Sequence, residues 1–393
     1  MTRVLWFHPR PWGTARHGGD IRTRGLVLSA LARGHEVALV VPMGGPDDEH
    51  EGLTLLTFAE PAGVPRSLAA KLFSPDPLRS PRLRRGGRDD LRARIRAFAP
   101  SVAVVSEVMS WSIAHHLLPP GLPVVYDAQN LEGQRFRVMA RGASGVGDRV
   151  TLSIDARRVS RAERDLLDRS RVLLAVSDPD AAGLRALGAR GECTVVPSSV
   201  TTPDRVADPE HSEPRVLFVG SLDYPPNQQA VEELATRIWP LVLRSRADAH
   251  LDIVGRNPGR RVRDLAGGSD SISLHADVDS VEGFYLVARA VVAPLRSGGG
   301  TKLKVYEALS YGLPLVATPE ALHGVRVDKD AVALADRPEE VSSALVRLLD
   351  DAAAAGRLGR RARAVFLEEL SWSRAAGPVL DRVLREVGGQ ARA

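Results

Sequence analysis

Cysteine, aromatic residues and long hydrophobic runs are all scarce in this sequence. Its 393 residues include one cysteine, Cys193, so an intrachain disulfide is impossible and a cysteine-based zinc site is disfavoured. Aromatic residues make up only 5% of the chain, which argues against a stacking surface for single-stranded nucleic acid. The best apolar run, residues 37–42, is far too short to cross a bilayer. We therefore expect a globular protein that does not bind nucleic acid.

Several catalytic and targeting motifs are also missing. There is no Gly-x-Ser-x-Gly nucleophile elbow, no His-Glu-x-x-His helix and no P-loop, so the corresponding hydrolase and NTPase classes lose support. The first glycine loop lacks the Gly-x-Gly-x-x-Gly pattern, which counts against a NAD or FAD site. Residues 1–7 lack the apolar stretch and cleavage site of a signal peptide, and we expect a cytoplasmic location.

Positive charge exceeds negative charge and is concentrated in one segment. The formal net charge is +5, and arginine is densest between Arg79 and Arg96. The simplest interpretation of this segment is a solvated arginine-rich loop, because charged runs are usually exposed. The alternative is a peripheral contact with an anionic surface, such as the inner face of a membrane, or with another polyanion.

Short β-rich runs alternate with amphipathic, helix-length segments along the whole chain. This alternation predicts an α/β fold with parallel sheets. The predicted strands cover residues 4–7, 36–41, 102–106, 124–126, 173–176, 194–196, 216–219, 251–254, 291–294 and 315–317. The predicted helices cover residues 20–32, 149–169, 227–243, 301–311 and 338–349. Gly34 is expected to end the first helix as a C-terminal cap.

A polar segment with three prolines, residues 201–214, interrupts this pattern and is predicted to be an interdomain linker. It separates an N-terminal domain, residues 1–200, from a C-terminal domain, residues 215–372. Residues 373–393 are expected to form a helix that packs back on the N-terminal domain. Both domains are predicted to be Rossmann-like, with ligands at the carboxyl ends of the parallel strands. Two such edges that face each other would form a cleft.

The strongest motif follows a predicted strand that ends at Pro294. Gly298, Gly299 and Gly300 come next, and a helix is expected to open at Thr301, a good N-cap residue. Glycines let backbone N–H groups approach an anion closely, and the start of a helix adds partial positive charge. This segment therefore predicts an anion site.

Lys304 and Glu307 are spaced to share one helical face with Gly300. On that face the lysine would meet a phosphate group, and the carboxylate, one turn deeper, would accept hydrogen bonds from ribose hydroxyls. The competing interpretation is a glycine-hinged loop with a solvated Lys–Glu pair, because short motifs also occur by chance.

Two polar clusters follow predicted strands in the first half. Gly18 and Gly19 open the first helix and form either a backbone anion nest or an ordinary strand–helix turn. Asp127 follows a buried strand, where it would orient an acceptor or take a proton, or else cap a helix. Both clusters lie where the active sites of open α/β sheets are found.

Both halves of the chain contain motifs that resemble those of the retaining GT-B glycosyltransferases grouped as family 4, and the motifs occur in the family's order. In the second half these motifs are Phe-Val-Gly-Ser-Leu-Asp-Tyr-Pro-Pro-Asn at 218–227, Ile-Val-Gly-Arg at 253–256, and residues 298–307 followed by Gly-Leu-Pro at 312–314. In the first half they are Gly18-Gly19, Gly-His-Glu-Val at 34–37, and Asp127-x-x-Asn130-x-Glu132. The resemblance extends over nearly the whole chain and implies the GT-B fold, in which two Rossmann-like domains face each other across a cleft.

The resemblance implies a nucleoside diphosphate sugar bound mainly by the C-terminal domain, with Glu307 holding the ribose and Gly18 and Gly19 approaching the phosphate from the other domain. Donor contacts are expected from Ser221, Asn227, Arg256, Arg296, Gly298, Gly299, Gly300, Thr301, Lys302, Lys304 and Glu307. The acceptor side is expected to include His8, Gln129, Asn130, Glu132 and Arg135. The expected catalytic residues are Asp127, Lys304 and Glu307, with no cofactor and no divalent metal required.

The sequence departs from the family pattern in three respects. The first of the family's paired glutamates falls at Gly299, so only Glu307 remains. The usual arginine and lysine after the first strand of the second domain are absent, and Ser221 and Asn227 stand in that region. The usual histidine before the acceptor loop is replaced by the group that starts at Asp127. Phosphate charge must then be met elsewhere, with Lys304 as the first candidate.

The sequence therefore predicts transfer of a sugar from a nucleoside diphosphate donor, with retention, to a small-molecule, lipid-linked or glycan acceptor. One alternative is another GT-B enzyme, a nucleotide-sugar epimerase or a pseudo-glycosyltransferase. A second is a catalytically silent nucleotide-sugar-binding or scaffold protein, which the missing glutamate and the missing arginine and lysine pair keep open. A tandem-Rossmann dehydrogenase is the weakest alternative.

Overall fold

The structure, a computed structural model, describes residues 1–13, 18–45, 50–59, 85–143, 145–298 and 302–389. The chain divides into two compact units. Unit 1 comprises Met1–Ser198 and the C-terminal segment from Ala375, and unit 2 comprises Ser199–Arg374. Each unit contains one parallel sheet with helices between its strands, which confirms the prediction of two Rossmann-like halves.

The described strands of unit 1 form one parallel sheet in the order β3-β2-β1-β4-β5-β6-β7. They are β1 (Arg3–Phe7), β2 (Glu36–Pro42), β3 (Leu53–Phe58), β4 (Val102–Ser106), β5 (Val124–Ala128), β6 (Ser170–Ala175) and β7 (Glu192–Val195). The helices are α1 (Gly18–Leu31), α2 (Arg85–Phe98), α3 (Trp111–Leu117), α4 (Glu132–Gly142), α5 (Val146–Arg169) and α6 (Asp178–Ala186). Every residue of β4 and β5 is buried, because helices cover both faces of the sheet.

The described strands of unit 2 form a parallel sheet in the order β10-β9-β8-β11-β12-β13. They are β8 (Arg215–Val219), β9 (His250–Gly255), β10 (Ile272–Ala276), β11 (Ala290–Ala293), β12 (Leu315–Ala317) and β13 (Ala333–Leu334). The helices are α7 (Pro225–Glu233), α8 (Trp239–Ser245), α9 (Arg260–Ala266), α10 (Glu282–Val287), α11 (Leu303–Ser310), α12 (Pro338–Asp350) and α13 (Ala352–Val365).

Strand order reverses beside the first strand of each sheet. In unit 1, β1 lies between β2 and β4, and in unit 2, β8 lies between β9 and β11. In open α/β sheets the crevice for a ligand forms at this switch point, outside the carboxyl ends of the strands. We therefore expect ligand-binding residues to follow β1 and β4 in unit 1 and β8 and β11 in unit 2.

The C-terminal helix α14 (Gly377–Gly389) belongs to unit 1, where it contacts α1, β4 and β6. Its apolar side chains at Leu380, Val383, Leu384 and Val387 are all buried. Nε2 of His35, on the turn before β2, lies 2.8 Å from Oδ1 of Asp381. The last helix thus completes the cover on one face of a sheet whose strands lie far from it in the sequence.

Most predicted elements agree with the structure to within a few residues, and the exceptions have physical reasons. The predicted helix 227–243 is divided into α7, a π-helical turn at Leu234–Ile238, and α8. Pro240 lies in the first turn of α8 and has no N–H to continue the bonds of α7. Strands β3, β10 and β13 were not predicted, because short alternating segments carry a weak signal.

Part of the arginine-rich segment is helical. Residues 85–98 form helix α2, so the interpretation of this part of the segment as a loop is wrong. Leu91 and Ile95 are buried one turn apart and fix one helical face, while the arginines occupy the others. Residues 79–84 lie outside the described part of the chain. Among the described residues, no helix is long and apolar enough to span a bilayer.

Replacing a buried residue of α14 should destabilise unit 1. Leu384→Ala removes a fully buried side chain, and we expect it to lower the free energy of unfolding by about 2–5 kcal/mol. The exposed neighbour provides the control, because Arg382→Ala should change stability by only about 0.5 kcal/mol. Thermal and urea unfolding measure both variants. Equal stability of the two would contradict the packing of α14 on unit 1.

Candidate functional site

The switch point of unit 2 begins at Gly220, directly after β8. A Cβ atom at this position would lie 2.8 Å from Nδ2 of Asn227 and 3.0 Å from Nζ of Lys304. Glycine is therefore required here because an amide and an ammonium group pack against the backbone. Another close approach occurs at Gly255, at the end of β9, where a Cβ atom would overlap the carbonyl oxygen of Gly220.

Lys304 extends from α11 to this strand end and is only 8% exposed. Its Nζ donates a hydrogen bond to Oδ1 of Asn227 at 2.7 Å and lies 4.4 Å from the centre of the Phe218 ring. Nδ2 of Asn227 in turn donates to the carbonyl oxygen of Ser221 at 2.8 Å. Burial lowers the pKa of Lys304 to about 7, although the Glu307 carboxylate acts in the opposite direction. The ammonium group is thus held in a buried position by neutral groups.

Glu307 lies one turn further along α11 and is bonded to a buried tyrosine. The hydroxyl of Tyr285 donates to Oε2 of Glu307 at 2.8 Å, and the Tyr285 ring stacks on Tyr311 with a centroid separation of 4.7 Å. Burial raises the pKa of Glu307, while the Tyr285 hydrogen bond and the charge of Lys304 act against this shift. One carboxylate oxygen is therefore oriented by Tyr285, a residue that the sequence analysis missed.

Two other residues predicted to bind the donor, Arg296 and Lys302, have partners within unit 2. Arg296 pairs with Glu233 at 2.8 Å and with Asp336, so its charge is already balanced within the unit. Nζ of Lys302 donates to the carbonyl oxygen of Gly298 at 2.8 Å and lies 3.8 Å from Glu320.

The glycine loop itself is described only in part. Gly299, Gly300 and Thr301 lie outside the described residues, and Arg256 is half-buried after β9. Helix α11 begins at Leu303 with Lys302 as its N-cap residue, within two residues of the predicted start at Thr301, which lies outside the described residues.

The switch point of unit 1 contains a compact charged cluster formed by His8, Arg10, Asp20 and Glu107. Arg10 bridges the carboxylates of Asp20 and Glu107, with its Nη1 donating to Oε2 of Glu107 at 3.1 Å. His8 is 3% exposed, and its Nε2 lies 3.2 Å from Oδ1 of Asp20. Burial alone would raise the pKa of Asp20, but hydrogen bonds from His8 and Arg10 hold it well below its usual range.

Asp127 lies behind this cluster and is completely buried. Its Oδ1 accepts from Nε of Arg22 at 2.8 Å, and its Oδ2 accepts from Oγ of Ser106 at 3.1 Å and from Nε2 of Gln129 at 3.3 Å. Arg22 also donates to the carbonyl oxygen of Val196 at 2.8 Å. In this arrangement the carboxylate cannot contact an acceptor, because both oxygens are bonded within the protein. Asp127 connects β5 to α1 and to the segment after β7.

Gly18 and Gly19 are the first two residues of α1. A Cβ atom at Gly19 would lie 2.6 Å from Oε1 of Gln129 and 2.7 Å from Nη2 of Arg10, and it would also meet Glu107. The absence of a side chain at Gly19 is thus explained by the polar groups that pack around the start of the helix.

The other predicted acceptor-side residues form a local network at the start of α4. Nδ2 of Asn130 donates to Oε1 of Glu132 at 3.0 Å, and Arg135 pairs with Glu132 at 3.1 Å. Sequence reasoning missed Glu163, which accepts from the backbone N–H groups of Glu132 and Gly133 at 2.8 and 3.1 Å.

The charged cluster of unit 1 was also missed, except for His8. Glu107 follows the uniformly buried strand β4 and has a φ of 61°, which is rare for a residue with a side chain. Its position directly after a predicted strand was the available signal, because polar side chains at such strand ends converge at one edge of a sheet.

Removing the charge of Asp127 should destabilise the protein before it affects any reaction. Asp127→Asn leaves Arg22 buried without its counter-charge, and breaking such a pair typically costs about 3–5 kcal/mol. The control is Asp89→Asn, which removes an exposed partner of Arg92 and should cost no more than about 1 kcal/mol. Urea unfolding gives both values. A fully stable but inactive Asp127→Asn protein would instead indicate a direct chemical role.

Comparisons with known proteins agree with the presence of two Rossmann-like units. Residues 17–199 match the family model described as a glycosyl transferase 4-like domain. Residues 213–351 match the family model described as glycosyl transferases group 1. The two matches together extend over most of both units. No curated protein matches the chain significantly.

Solved structures of similar fold cover almost the whole chain. WaaG, a glycosyltransferase involved in lipopolysaccharide biosynthesis, is 14% identical over 98% of this chain and 100% of its own, with a TM-score of 0.63. HepE of Anabaena, in complex with UDP and glucose, is 11% identical over 99% of this chain and 100% of its own, with a TM-score of 0.63. An E. coli structure described as trehalose-6-phosphate bound with UDP-2-fluoro glucose is 11% identical over 98% of this chain and 99% of its own. Its TM-score is 0.61.

At these identities the structural likeness supports the fold, and the family matches supply the assignment. The chain belongs to the group 1 glycosyltransferases of the GT-B fold.

Proposed function

We propose that the protein transfers a sugar from a nucleoside diphosphate sugar to an acceptor hydroxyl, with retention of configuration. The observation that carries this proposal is the buried ammonium group of Lys304, held by Asn227 at the carboxyl end of β8. HepE in complex with UDP-glucose and the E. coli structure with UDP-2-fluoro glucose support the donor class.

Lys304 takes the place of the phosphate-binding arginine and lysine that the family resemblance leads one to expect. Those positive charges would follow β8, where this chain has Ser221 and Asn227. Lys304 brings a positive charge to the same strand end from α11 instead, and Asn227 orients it. An ammonium group has three donors, so two remain for phosphate oxygens when one is bonded to Asn227.

Transfer breaks the bond between the anomeric carbon and the diphosphate oxygen, whose electron pair stays on the diphosphate. The acceptor oxygen bonds to the anomeric carbon, and its proton passes to the departing phosphate. Lys304 stabilises the charge that develops on the leaving group, and preorganised charge of this kind is usually the largest catalytic contribution. No nucleophile from the protein and no divalent metal is required in this proposal.

Glu307 is proposed to accept hydrogen bonds from the ribose hydroxyls of the donor. Tyr285 is a positioning residue, because it donates to Oε2 of Glu307 and fixes the carboxylate for this task. Ser221, Arg256 and Gly298 are proposed to complete the donor contacts in unit 2.

In unit 1 we propose that the acceptor side is formed by His8, Gln129, Asn130, Glu132 and Arg135. Gly18 and Gly19 lie at the positive end of α1, which suits the approach of a phosphate. Asp127 is assigned a positioning role through Arg22. A peripheral contact of the segment from Arg79 to Arg96 with an anionic surface, in a cytoplasmic protein, also belongs to this proposal.

A catalytically silent nucleotide-sugar-binding protein is the second candidate. Gly299 stands where the family resemblance would place a glutamate, so a carboxylate for sugar recognition is missing there. Donor hydrolysis and transfer assays separate the two candidates, since a silent protein binds the donor without consuming it.

Two variants test the donor site. Lys304→Ala and Glu307→Ala should each lower kcat/KM by on the order of 10²–10³, because each removes a preorganised contact to the donor. Exposed residues of the same types are the controls, and Lys329→Ala and Glu386→Ala should leave kcat/KM unchanged. Wild-type kcat/KM in both site variants would show that the donor site is elsewhere.

The identity of the donor can be found by thermal shift. UDP, GDP, TDP and ADP, with their sugars, should raise the melting temperature unequally, because at one ligand concentration the stabilisation RT ln(1 + [L]/Kd) is larger for the ligand with the lower Kd. The shift with the best nucleotide should shrink in Lys304→Ala and persist in Lys329→Ala. NAD should give no shift, and a NAD shift would favour the dehydrogenase alternative.

Donor binding should take up a proton near pH 8. The pKa of Lys304 in the free protein is about 7, so its amine is mostly neutral at that pH, and an approaching diphosphate favours the charged form. Both phosphates of a nucleotide sugar are esterified, so the ligand itself does not titrate there. Calorimetry in buffers of different ionisation enthalpy measures the uptake, which should disappear in Lys304→Met and remain in Lys329→Met. Proton-independent binding by the wild type would contradict a role for Lys304.

A further inference from the structure

Unit 1 contains a second concave feature that the transfer reaction does not use. A groove of about 1050 Å³ lies between α4, α5 and the end of α6, and none of the residues assigned above to the donor or the acceptor lines it. Six arginines line the groove: Arg137, Arg141, Arg149, Arg157, Arg161 and Arg164. We call this feature the arginine groove.

The arginine groove has a large excess of positive charge. Glu163 is the only carboxylate among its lining residues, against six guanidinium groups. Both oxygens of Glu163 already accept hydrogen bonds from the backbone N–H groups of Glu132 and Gly133. The one carboxylate in the lining is therefore hydrogen-bonded to the start of α4 through both of its oxygens.

The six arginines form no salt bridge with any carboxylate in the described part of the chain. Where hydrogen bonds are present their acceptors are neutral: Arg137 donates to the carbonyl oxygen of Gly133, and Arg149 to that of Ala143. On unit 2, by contrast, Arg246 and Arg296 each pair with two carboxylates. These two arginines of unit 2 therefore have carboxylate partners within salt-bridge distance, and the six described arginines of the groove have none.

The spacing of the arginines adds to this imbalance. Arg137 and Arg141 are four residues apart on α4, and Arg157 and Arg161 are four residues apart on α5. Like charges at this spacing face each other on a helix and destabilise it. A multiply charged anion in the groove would remove the repulsion and use the planar, bidentate geometry of guanidinium groups for phosphate.

Exposed apolar side chains accompany the groove on the same two helices. Among the described residues, four of the eleven exposed large hydrophobic side chains fall between positions 138 and 150. They are Val138 and Met139 on α4 and Val146 and Val150 on α5, with exposures of 45–79%. Exposed apolar side chains on the same two helices as the groove arginines point to a ligand that is both anionic and apolar.

We propose that the arginine groove binds the phosphate groups of anionic lipids in a membrane surface, with the four aliphatic side chains contacting the apolar part of the lipid. The site does not depend on the donor site or on the proposed reaction. Its ligand is identified by charge complementarity with the six arginines and by the apolar side chains on the same helices.

Vesicle cosedimentation with the full chain tests the charge. Vesicles of phosphatidylcholine with 30% phosphatidylglycerol should bind the wild type, and pure phosphatidylcholine vesicles should not. Arg157→Gln with Arg161→Gln should weaken binding on the order of 10-fold or more, since each basic residue near an anionic surface contributes measurably. The matched control is Arg260→Gln with Arg263→Gln on α9, which removes the same charge from unit 2 and should bind like the wild type.

A second pair of variants tests the apolar contact without changing charge. Val146→Ser with Val150→Ser should also weaken binding to the anionic vesicles, whereas Val206→Ser with Val287→Ser, at exposed sites of unit 2, should not. All four side chains are exposed, and unchanged thermal unfolding would show that the variants are folded.

Three outcomes would overturn the proposal. The first is vesicle binding that survives both groove variants. The second is binding that is lost only in Arg92→Gln with Arg94→Gln on α2 and is kept in both groove variants, which would place the whole contact on the arginine-rich helix. The third is binding of soluble tripolyphosphate in the absence of vesicle binding, which would make the ligand a free polyanion.

Discussion

The chemistry proposed for this protein depends on one buried contact, the hydrogen bond from Nζ of Lys304 to Oδ1 of Asn227. Burying an ammonium group is costly unless it is paired, and here the described partners are an amide oxygen and the face of the Phe218 ring. The result is a lysine whose pKa is lowered to about 7 and whose charge is stabilised most fully when an anion arrives. Gly220 makes the contact possible, because a side chain there would occupy the same space.

The two switch points illustrate different uses of the same topology. In unit 2 the described residues give the Lys304 ammonium an amide oxygen as its hydrogen-bond partner and no directly bonded carboxylate, while Glu307 acts on it only through its charge one turn away. In unit 1 the corresponding edge is filled by pairs that satisfy one another, Arg10 with Asp20 and Glu107, and Arg22 with Asp127. A buried ion pair of this kind holds strands and helices in register, while an uncompensated charge attracts a ligand. We accordingly propose that the donor binds mainly to unit 2.

The arginine groove is a surface with several positive charges that lack a salt-bridge partner among the described residues. Several arginines on unit 2 are matched by nearby carboxylates, as Arg361 is by Asp328 and Asp330. The six groove arginines on α4 and α5 lack such a partner among the described residues, and the same helices expose apolar side chains. Unbalanced charge and exposed apolar area at one place are both unfavourable for an isolated protein, and a lipid surface would relieve both at once.

The sequence by itself determined the fold class and the family, because alternating strand and helix patterns and the spacing of glycine-rich motifs depend on local chemistry. It also identified Lys304 and Glu307 as a pair, since residues three apart on a helix share a face. Only the tertiary structure decided which charges are neutralised. Asp127 looked available in the sequence but is bonded to Arg22, Ser106 and Gln129, and the segment after Arg85 is a helix because Leu91 and Ile95 are buried. Partners more than a hundred positions apart, such as Arg22 and Asp127, leave no local pattern, so their pairing appears only when the strands and helices are assembled.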